Sequence, residues 1–331
     1  MMLMDLLSLL PVFLIGFAAH RASLCSVRAI MQWLDDHKAS VLISFLKAAA
    51  WSCLLTGVFV LLALPIKGVP VTHGVWWLSI LGGLLFGMGA AINGGCSLST
   101  VQRLADGESA MLLTLTSFVF GAAVILALDH LWPPHAVEPQ VLWWRQLTLG
   151  QQVALVTVLT IWAVRDLLLQ WQRRDQRLTL LQRLTAPRYR LSFGALLIGV
   201  ASALLFLLEG TWTYTNYLRE QTRSCFFGGS AVSWLRSAMV LTLFAGMLTS
   251  SLHRGSFRWR WPDRHNWRRR VLGGFLMGAG GALVPGGNDT LILVQIPTLS
   301  LQAMASYVAL LAGIGTVLLF MRSSPEGHPA N

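Results

Sequence analysis

Nine apolar segments of membrane-spanning length follow one another along the chain. They lie at about 3–19, 39–64, 74–92, 109–128, 149–169, 191–208, 231–252, 271–287 and 301–320. A helix needs about 20 consecutive, mainly apolar residues to cross the hydrocarbon core of a bilayer. The pattern therefore predicts an all-α polytopic membrane protein with about nine transmembrane helices in contact with lipid.

The sharpest polar interruption follows the third apolar segment. Residues 82–107 read GGLLFGMGAAINGGCSLSTVQRLADG, so Gly94, Gly95, Cys96 and Ser97 come directly after a glycine-spaced apolar helix. In lipid, such a break is tolerated only where the freed backbone groups are buried in protein or line a cavity. We therefore predict that these four residues belong to a central site.

A second break of the same kind lies near the other end of the chain. Residues 274–289 read GFLMGAGGALVPGGND, and alignment of the glycines places Gly286, Gly287 and Asn288 opposite the Gly-Gly-Cys of the first break, with one inserted residue. Chance similarity between glycine-rich membrane helices is the alternative explanation. Broken helices at corresponding positions of two halves are typical of a transporter's central site, so we predict an internal duplication.

Most of the positive charge lies in two short segments. The formal net charge is +11, and residues 165–190 and 254–270 each contain seven arginines, against two aspartates and one. Loops rich in Lys and Arg face the cytoplasm in membrane proteins. This distribution argues for membrane topology and against nucleic-acid binding. It predicts a multi-pass membrane protein with its N-terminus outside and its C-terminus cytoplasmic.

The predicted topology gives two repeats of opposite orientation. We expect a first transmembrane repeat at 1–130, a linking span with a basic cytoplasmic loop at 131–190, a second, inverted repeat at 191–322 and a C-terminal tail at 323–331. Each repeat also has room for a short helix, at 20–38 and at 209–229. With the two glycine breaks, these make four plunging segments. Ser23 is the expected cap of the first short helix, and Thr211 or Thr213 that of the second.

Several classes of chemistry find no support in the composition. The four cysteines form no C-x-x-C pair and the eight histidines lack metal-ligand spacing, so no metal site is predicted. The chain also has no G-x-x-x-x-G-K-[ST] loop and no G-x-S-x-G elbow, the motifs of P-loop ATPases and serine hydrolases. We expect no cofactor and no built-in ATPase.

Cys25 and Cys96 are the strongest candidates for substrate binding. Each lies near the start of a predicted short helix, and helix N-termini favour anions. Cys53, in the apolar run WSCLL, is better explained as a packing residue. The roles of two cationic residues stay open. Arg21 either attracts an anion or follows the positive-inside rule, and Lys47 either acts in the site or extends to the lipid headgroups.

Further expectations concern single residues outside the central site. Asp289 is expected to cap a short helix at 290–295, and Cys225 is a candidate guard of the outer entrance. Tryptophans near the predicted outer ends are expected to be interfacial anchors. They are Trp76, Trp77, Trp132, Trp143 and Trp144.

The first break resembles the signature of the YeeE/YedE family of sulphur-compound transporters. That signature has a glycine-rich helix, then GGC, then an arginine and a glycine, matched here by Arg103 and Gly107; HRASLC, ending at Cys25, is similar to the family's first cysteine segment. The resemblance implies a compact hourglass fold, uptake of thiosulfate, and cysteines in a central constriction that hand the anion inward. It also implies a small cytoplasmic TusA-like sulphur-carrier protein as a partner.

The chain departs from this family at one central position. Asn288 stands where the family's thiosulfate transporters have a third cysteine. An amide donates two hydrogen bonds to an oxyanion but does not imitate a thiol toward sulphur. One alternative is therefore a transporter of a different solute in the same fold.

The other alternative is a membrane sulphurtransferase with Cys96 as its nucleophile. Nucleophilic catalysis needs a base, and no His or carboxylate is near Cys96 in sequence. We therefore predict a transporter that is not an enzyme. A thiolate beside a dianion would be repelled, so we expect neutral S–H groups to meet the substrate.

Overall fold

A computed structural model describes residues 6–67, 71–73, 76–131, 137–139, 142–172, 182, 186–228, 231–261 and 266–323. The predicted anchor Trp132 and the tail from residue 324 onward lie outside these ranges. The helices and strands of the first half are α1 (Leu9–Ala22), α2 (Ser26–Asp36), α3 (Ser40–Leu61), β1 (Val71–His73), α4 (Trp76–Asn93), α5 (Ser97–Ala105), α6 (Met111–Leu131) and β2 (Val137–Pro139).

The remaining elements are the link and the second half. They are α7 (Trp143–Gln146), α8 (Leu149–Gln172), α9 (Leu191–Glu209), α10 (Tyr214–Phe227), α11 (Trp234–Arg254), α12 (Trp267–Leu283), α13 (Asn288–Thr290) with a π-helix (Leu291–Gln295) after it, and α14 (Leu301–Ser323). β1 and β2 form a short antiparallel ribbon.

The prediction of an all-α polytopic membrane protein is confirmed. Among the described residues, eight helical segments are long and apolar enough to cross a membrane. In three of them a long helix continues into a short one: Leu9–Asp36, Trp76–Ala105 and Leu191–Phe227. The predicted segment 271–287 corresponds to α12, which has 17 residues and is too short to be one of the eight.

The helices of the two halves pack against each other in matched pairs. α4 packs on α14, and the corresponding helix α12 packs on α6; α3 packs on α9, and α11 packs on α1. α4 and α12 also contact each other, as do α1 and α9. If each helix is replaced by its counterpart in the other half, the same contacting pairs are obtained. This is the arrangement expected of an internal duplication.

Glycines make the closest contacts in these pairs. A Cβ at Gly83 would lie 2.2 Å from the carbonyl oxygen of Ser306, and one at the corresponding Gly274 would lie 2.4 Å from that of Thr114. Small residues let membrane helices approach to this distance. The same relation holds for two further pairs, Gly87 with Leu310 and Gly278 with Phe118. The glycine spacing that indicated a duplication therefore serves helix packing between the halves.

α8 stands outside the symmetric arrangement and packs on α3. Lys47 in α3 forms an ion pair with the buried Asp166 of α8, with 2.5 Å between Nζ and Oδ1, and it also donates to Ser192 Oγ at 2.9 Å. Of the two explanations left open for Lys47, neither is needed, because the buried carboxylate is its partner. The pair attaches the linking helix to the first half.

One predicted interfacial anchor is wrong. Trp144 is fully buried, and its Nε1 donates to the carbonyl oxygen of Pro297 at 2.9 Å. Its ring packs against Gly57 of α3, where a Cβ would lie 2.5 Å from the ring. By contrast, Trp76 and Trp77 are exposed, as a lipid-facing anchor must be.

Candidate functional site

Four short helices begin in the interior, two from each half. Their N-cap residues are Cys25 for α2, Cys96 for α5, Thr213 for α10 and Gly287 for α13. Thr213 caps its helix as predicted, because its Oγ1 accepts from the Asn216 N–H at 3.4 Å. The prediction for Ser23 is wrong: Ser23 ends α1 in the left-handed conformation.

The turn between α4 and α5 is fixed by Asn93. Its Nδ2 donates to the Gly95 carbonyl and to Thr100 Oγ1, each at 3.0 Å, and its Oδ1 accepts from Thr114 Oγ1 at 3.0 Å. Gly94 has a φ of +75°, a conformation that favours glycine. These interactions define where α5 begins and therefore where its capping cysteine lies.

The thiols of Cys25 and Cys96 lie beside each other at the starts of α2 and α5. They interact directly, and Cys25 Sγ also donates to Ser99 Oγ at 3.5 Å. The Ser99 hydroxyl donates in turn to the Cys96 carbonyl at 2.9 Å, and the Cys96 thiol faces the backbone N–H of Ser26. Both cysteines are free thiols. Each thiol therefore faces the start of the helix that the other cysteine caps.

Three hydroxyl groups close to these thiols have no hydrogen-bond partner within the described part of the chain. They belong to the buried residues Ser26, Ser97 and Tyr307. Tyr307, from α14, lies near both thiols, and its OH lies close to that of Ser26 without a hydrogen bond of normal geometry. A buried polar group without a partner costs about 1–3 kcal/mol, so a ligand that accepts from these hydroxyls would recover that energy.

We call this set of residues the thiol cluster. It consists of Cys25, Ser26, Cys96, Ser97, Ser99 and Tyr307. Helix N-termini carry partial positive charge, and α2 and α5 have 11 and nine residues. Two helix starts, two thiols and several hydroxyl donors together make a small site suited to an anion without any full positive charge.

The short helices of the second half meet through hydroxyl groups. Thr213 Oγ1 and Thr290 Oγ1 are 2.6 Å apart, and the Thr215 N–H donates to Asp289 Oδ2 at 3.1 Å. The Thr215 hydroxyl donates to the other oxygen of the same carboxylate. The prediction that Asp289 caps a helix beginning at residue 290 is wrong, because Asp289 lies inside α13 and joins it to α10.

Asn288 lies where the second half contacts the first. It is the first residue of α13, which packs on α5. The side chain is buried, and its Oδ1 has no hydrogen-bond partner among the residues that the structure describes. The position aligned with Cys96 therefore carries an amide whose oxygen accepts no hydrogen bond from the described residues.

The four predicted glycines have their N–H groups engaged within the protein. Gly94 and Gly95 donate to carbonyls at the end of α4, at 3.0 and 2.9 Å, while Gly286 donates to Gly281 O at 2.8 Å and Gly287 to Thr290 Oγ1 at 3.4 Å. These N–H groups are therefore not free to face a ligand. They form the turns instead, and their contact with substrate stays a prediction.

Arg21 is buried at the end of α1 and contacts other parts of the protein. Its guanidinium donates to Ala186 O and contacts His253 Nδ1 at 3.0 Å, and it lies 4.3 Å above the Phe17 ring. These contacts tie the end of α1 to the segment before α9 and to α11. They give Arg21 a structural role, and its predicted part in substrate binding stays untested.

The end of the molecule that carries the arginines is closed by a polar network around Asp106. His20 contacts Ser250 Oγ at 3.0 Å and Asp106 Oδ1 at 3.1 Å, and Ser251 and Ser256 donate to the same oxygen at 2.7 and 2.5 Å. Burial raises the pKa of Asp106. The hydrogen bonds from His20, Ser256 and Ser251 and the attraction to His20 together lower the pKa by more than burial raises it, so the pKa lies well below its ordinary value. We call this end, with Arg254, Arg258, Arg260 and Arg268 to Arg270, the basic face.

Sequence reasoning missed three residues near the centre. Ser26 had the plain signal of following Cys25 directly. Tyr307 is an isolated tyrosine in the apolar segment 301–320, and nothing in the sequence places it beside cysteines from the first half. Thr215 lies in TWTYT, where only the capping role of the neighbouring threonine was predicted.

Comparison with known proteins gives two matches. The model of the family described as sulphur transport, Sulf_transp, matches residues 21–316, which is most of the chain. The chain is also similar to the thiosulfate transporter TsuA of Escherichia coli (strain K12), with 23% identity over 296 residues that cover 82% of each chain.

Proposed function

The chain belongs to the sulphur transport family, and from this membership we propose that it imports thiosulfate, or a closely similar sulphur-containing anion, through the thiol cluster. The similarity to TsuA supports thiosulfate as the substrate. In this proposal the anion passes from one thiol to the other, by relay between Cys25 and Cys96. Sulphur-compound transport follows from the family; the substrate, the relay and the inward direction are our proposal.

The observation that carries the proposal is the set of unsatisfied donors around the two thiols. Thiosulfate has one terminal sulphur and three oxygens. The S–H groups of Cys25 and Cys96 suit the sulphur, while the hydroxyls of Ser26, Ser97 and Tyr307, which lack partners in the described structure, suit the oxygens. A dianion 4 Å from a thiolate would be repelled by about 8 kcal/mol at an effective dielectric constant of about 20, so we propose that the thiols stay neutral.

Asn288 takes part from the opposite side in this proposal. Its buried amide adjoins α5, and its Oδ1 has no partner in the part of the chain that the structure describes. The Nδ2 group can donate to an oxygen of the anion after it leaves the thiols. The relay of three thiols in the family's thiosulfate transporters then becomes two thiols followed by an amide.

The contacts of Cys96 do not favour a sulphurtransferase. A nucleophilic thiol needs a base within hydrogen-bonding reach. The described hydrogen-bond partners of the Cys96 thiol are another thiol and backbone N–H groups, and Asp106 is occupied by His20 and two serines. We therefore propose transport without a covalent sulphur intermediate.

We place the basic face in the cytoplasm by the positive-inside rule, with the N-terminus outside and the C-terminus inside the bacterial inner membrane. The exposed arginines of this face, among them Arg258 and Arg260, would then meet cytoplasmic proteins. We propose a TusA-like sulphur carrier as the partner that receives the sulphur compound there. Co-purification of such a carrier with the transporter, lost when these arginines are changed to glutamate, would test this assignment.

Uptake of radiolabelled thiosulfate tests the function. The host is a bacterial strain without its own sulphate and thiosulfate importers. Wild type should support uptake and growth on thiosulfate, Cys96→Ala should abolish both, and Cys96→Ser should retain a small part. Cys53→Ala is the matched control, because Cys53 is also buried but lies in α3 outside the thiol cluster. Uptake by Cys96→Ala at the wild-type rate would contradict the proposal.

A further inference from the structure

The second half contains a buried carboxylate that the thiol cluster does not use. Asp289 is 5% exposed and accepts hydrogen bonds from the N–H and the hydroxyl of Thr215. None of the ion pairs formed by the described residues includes it. Ionisable groups inside membrane proteins are expensive to bury and mark ion or proton pathways.

We propose that Asp289 is a proton-binding site that couples entry of the anion to entry of one proton. This inference rests on the proposed function, because it concerns the same substrate and the same path. Asp289 takes up a proton from the outside and becomes a neutral acid. The proton leaves to the cytoplasm after the anion has left. No covalent bond to sulphur forms or breaks.

Among the described residues, few ionisable groups belong to the elements packed against Asp289. From α10, Tyr214 faces it, and the Tyr214 OH is buried without a hydrogen-bond partner among the described residues. From α5 come the Cys96 thiol and, at the far end of the helix, Arg103, which is paired with Glu108. The π-helix that follows contains no charged residue. Further along α10 lie Arg219, Glu220 and Arg223.

The position of Asp289 explains how its protonation is coupled to binding of the anion. Asp289 follows Asn288, whose amide adjoins the first half, so a charge on Asp289 acts on any anion that reaches the amide. At an effective dielectric constant of about 20, a single charge about 10 Å from a dianion changes its affinity by roughly two orders of magnitude. The dianion therefore binds mainly to the protonated form, and the charge that crosses the membrane falls from two to one.

A proton fits these oxygens better than a sodium ion does. The Thr213 and Thr290 hydroxyls are 2.6 Å apart and bonded to each other, and Thr215 already donates to Asp289. A metal cation needs several oxygen ligands turned toward it, which these hydrogen bonds prevent. A proton needs only one free lone pair of the carboxylate.

Proteoliposomes test the proposal with the full-length protein. A pH-sensitive dye inside the vesicles and radiolabelled thiosulfate outside report proton and anion entry together. In wild type, thiosulfate should acidify the lumen, and uptake should rise at least ten-fold from an outside pH of 8 to 6. Asp289→Asn should lose both the acidification and the pH dependence. Glu209→Gln, a change to a carboxylate paired with Lys67 at the end of α9, is the matched control and should behave as wild type.

A second variant covers a failure of Asp289→Asn to fold. Thr215→Val removes the hydroxyl donor to the carboxylate and should move the pH midpoint of uptake upward, because the ionised form loses a hydrogen bond. Wild-type uptake without lumen acidification, uptake that requires sodium instead, or acidification retained by Asp289→Asn would each overturn the inference while leaving the proposed function intact. Absence of any wild-type thiosulfate uptake would overturn the proposed function itself.

Discussion

The contact between Gly278 of α12 and Phe118 of α6 should not accommodate even one methyl group. A Cβ at Gly278 would lie 1.9 Å from the Phe118 carbonyl oxygen, whereas nonbonded heavy atoms are at ease at about 3.5 Å. The two helices would have to separate by roughly 1.5 Å at this point, since a backbone carbonyl cannot rotate away as a side chain does. Overpacking of a buried site costs about 1–3 kcal/mol. We therefore expect Gly278→Ala to lower the thermal midpoint in detergent by about 2–6 °C.

The aligned glycine of the first half supplies a second test of the same reasoning, and the chain supplies the control. Gly87 corresponds to Gly278, and its Cβ would lie 2.0 Å from the Leu310 carbonyl oxygen, so Gly87→Ala should shift the midpoint by a similar amount. Gly150 in α8 has no atom of the described residues within 4 Å of its Cβ position, so Gly150→Ala should cause no loss. Scanning fluorimetry of the tryptophans measures all three. Equal midpoints for Gly278→Ala and Gly150→Ala would refute the packing argument.

Three further predictions concern single side chains. Lys47→Met should destabilise the protein by about 3 kcal/mol in a denaturation assay, because it leaves the buried Asp166 without a charged partner among the described residues. Adding Asp166→Leu should restore most of the loss. The pKa of Asp106 is lowered in the folded protein. Ionised Asp106 therefore stabilises the fold above the unfolded pKa of about 4, and this stabilisation is lost as the pH falls through the folded pKa. Asp106→Asn should lower the melting temperature at pH 7 and should differ less from wild type below about pH 4. Tyr307→Phe should reduce thiosulfate uptake about ten-fold without lowering the melting temperature, because the Tyr307 hydroxyl has no protein partner among the described residues; a fall in both would assign it to stability instead.

Helix positions could be predicted because burial in lipid leaves a simple record in the sequence. Apolar segments marked the long helices, and polar interruptions marked the places where helices restart. Cys25 and Cys96 were identified for the same reason: each lies at an interruption, where a side chain can face the interior. The errors at Ser23 and Asp289 concern which of several neighbouring polar residues caps a helix, and that choice depends on contacts that local sequence does not contain.

Contacts between distant parts of the chain could not be predicted. Tyr307 joins cysteines from the first half because α14 packs on α4 and on α2. The pairing of Lys47 with Asp166 likewise depends on where the linking helix lies. Propensity and periodicity describe one segment at a time, so they leave open which segments become neighbours.

The packing of helices from one half on helices of the other determines when the protein can complete its fold during biosynthesis. Ser79 of α4 and Gln302 of α14 are hydrogen-bonded across 223 residues of chain. When α4 leaves the ribosome, the helix that fills its glycine surface has not yet been translated. The nascent first half must therefore wait in the insertion machinery or among lipids, and the whole molecule closes only when its final helix is inserted.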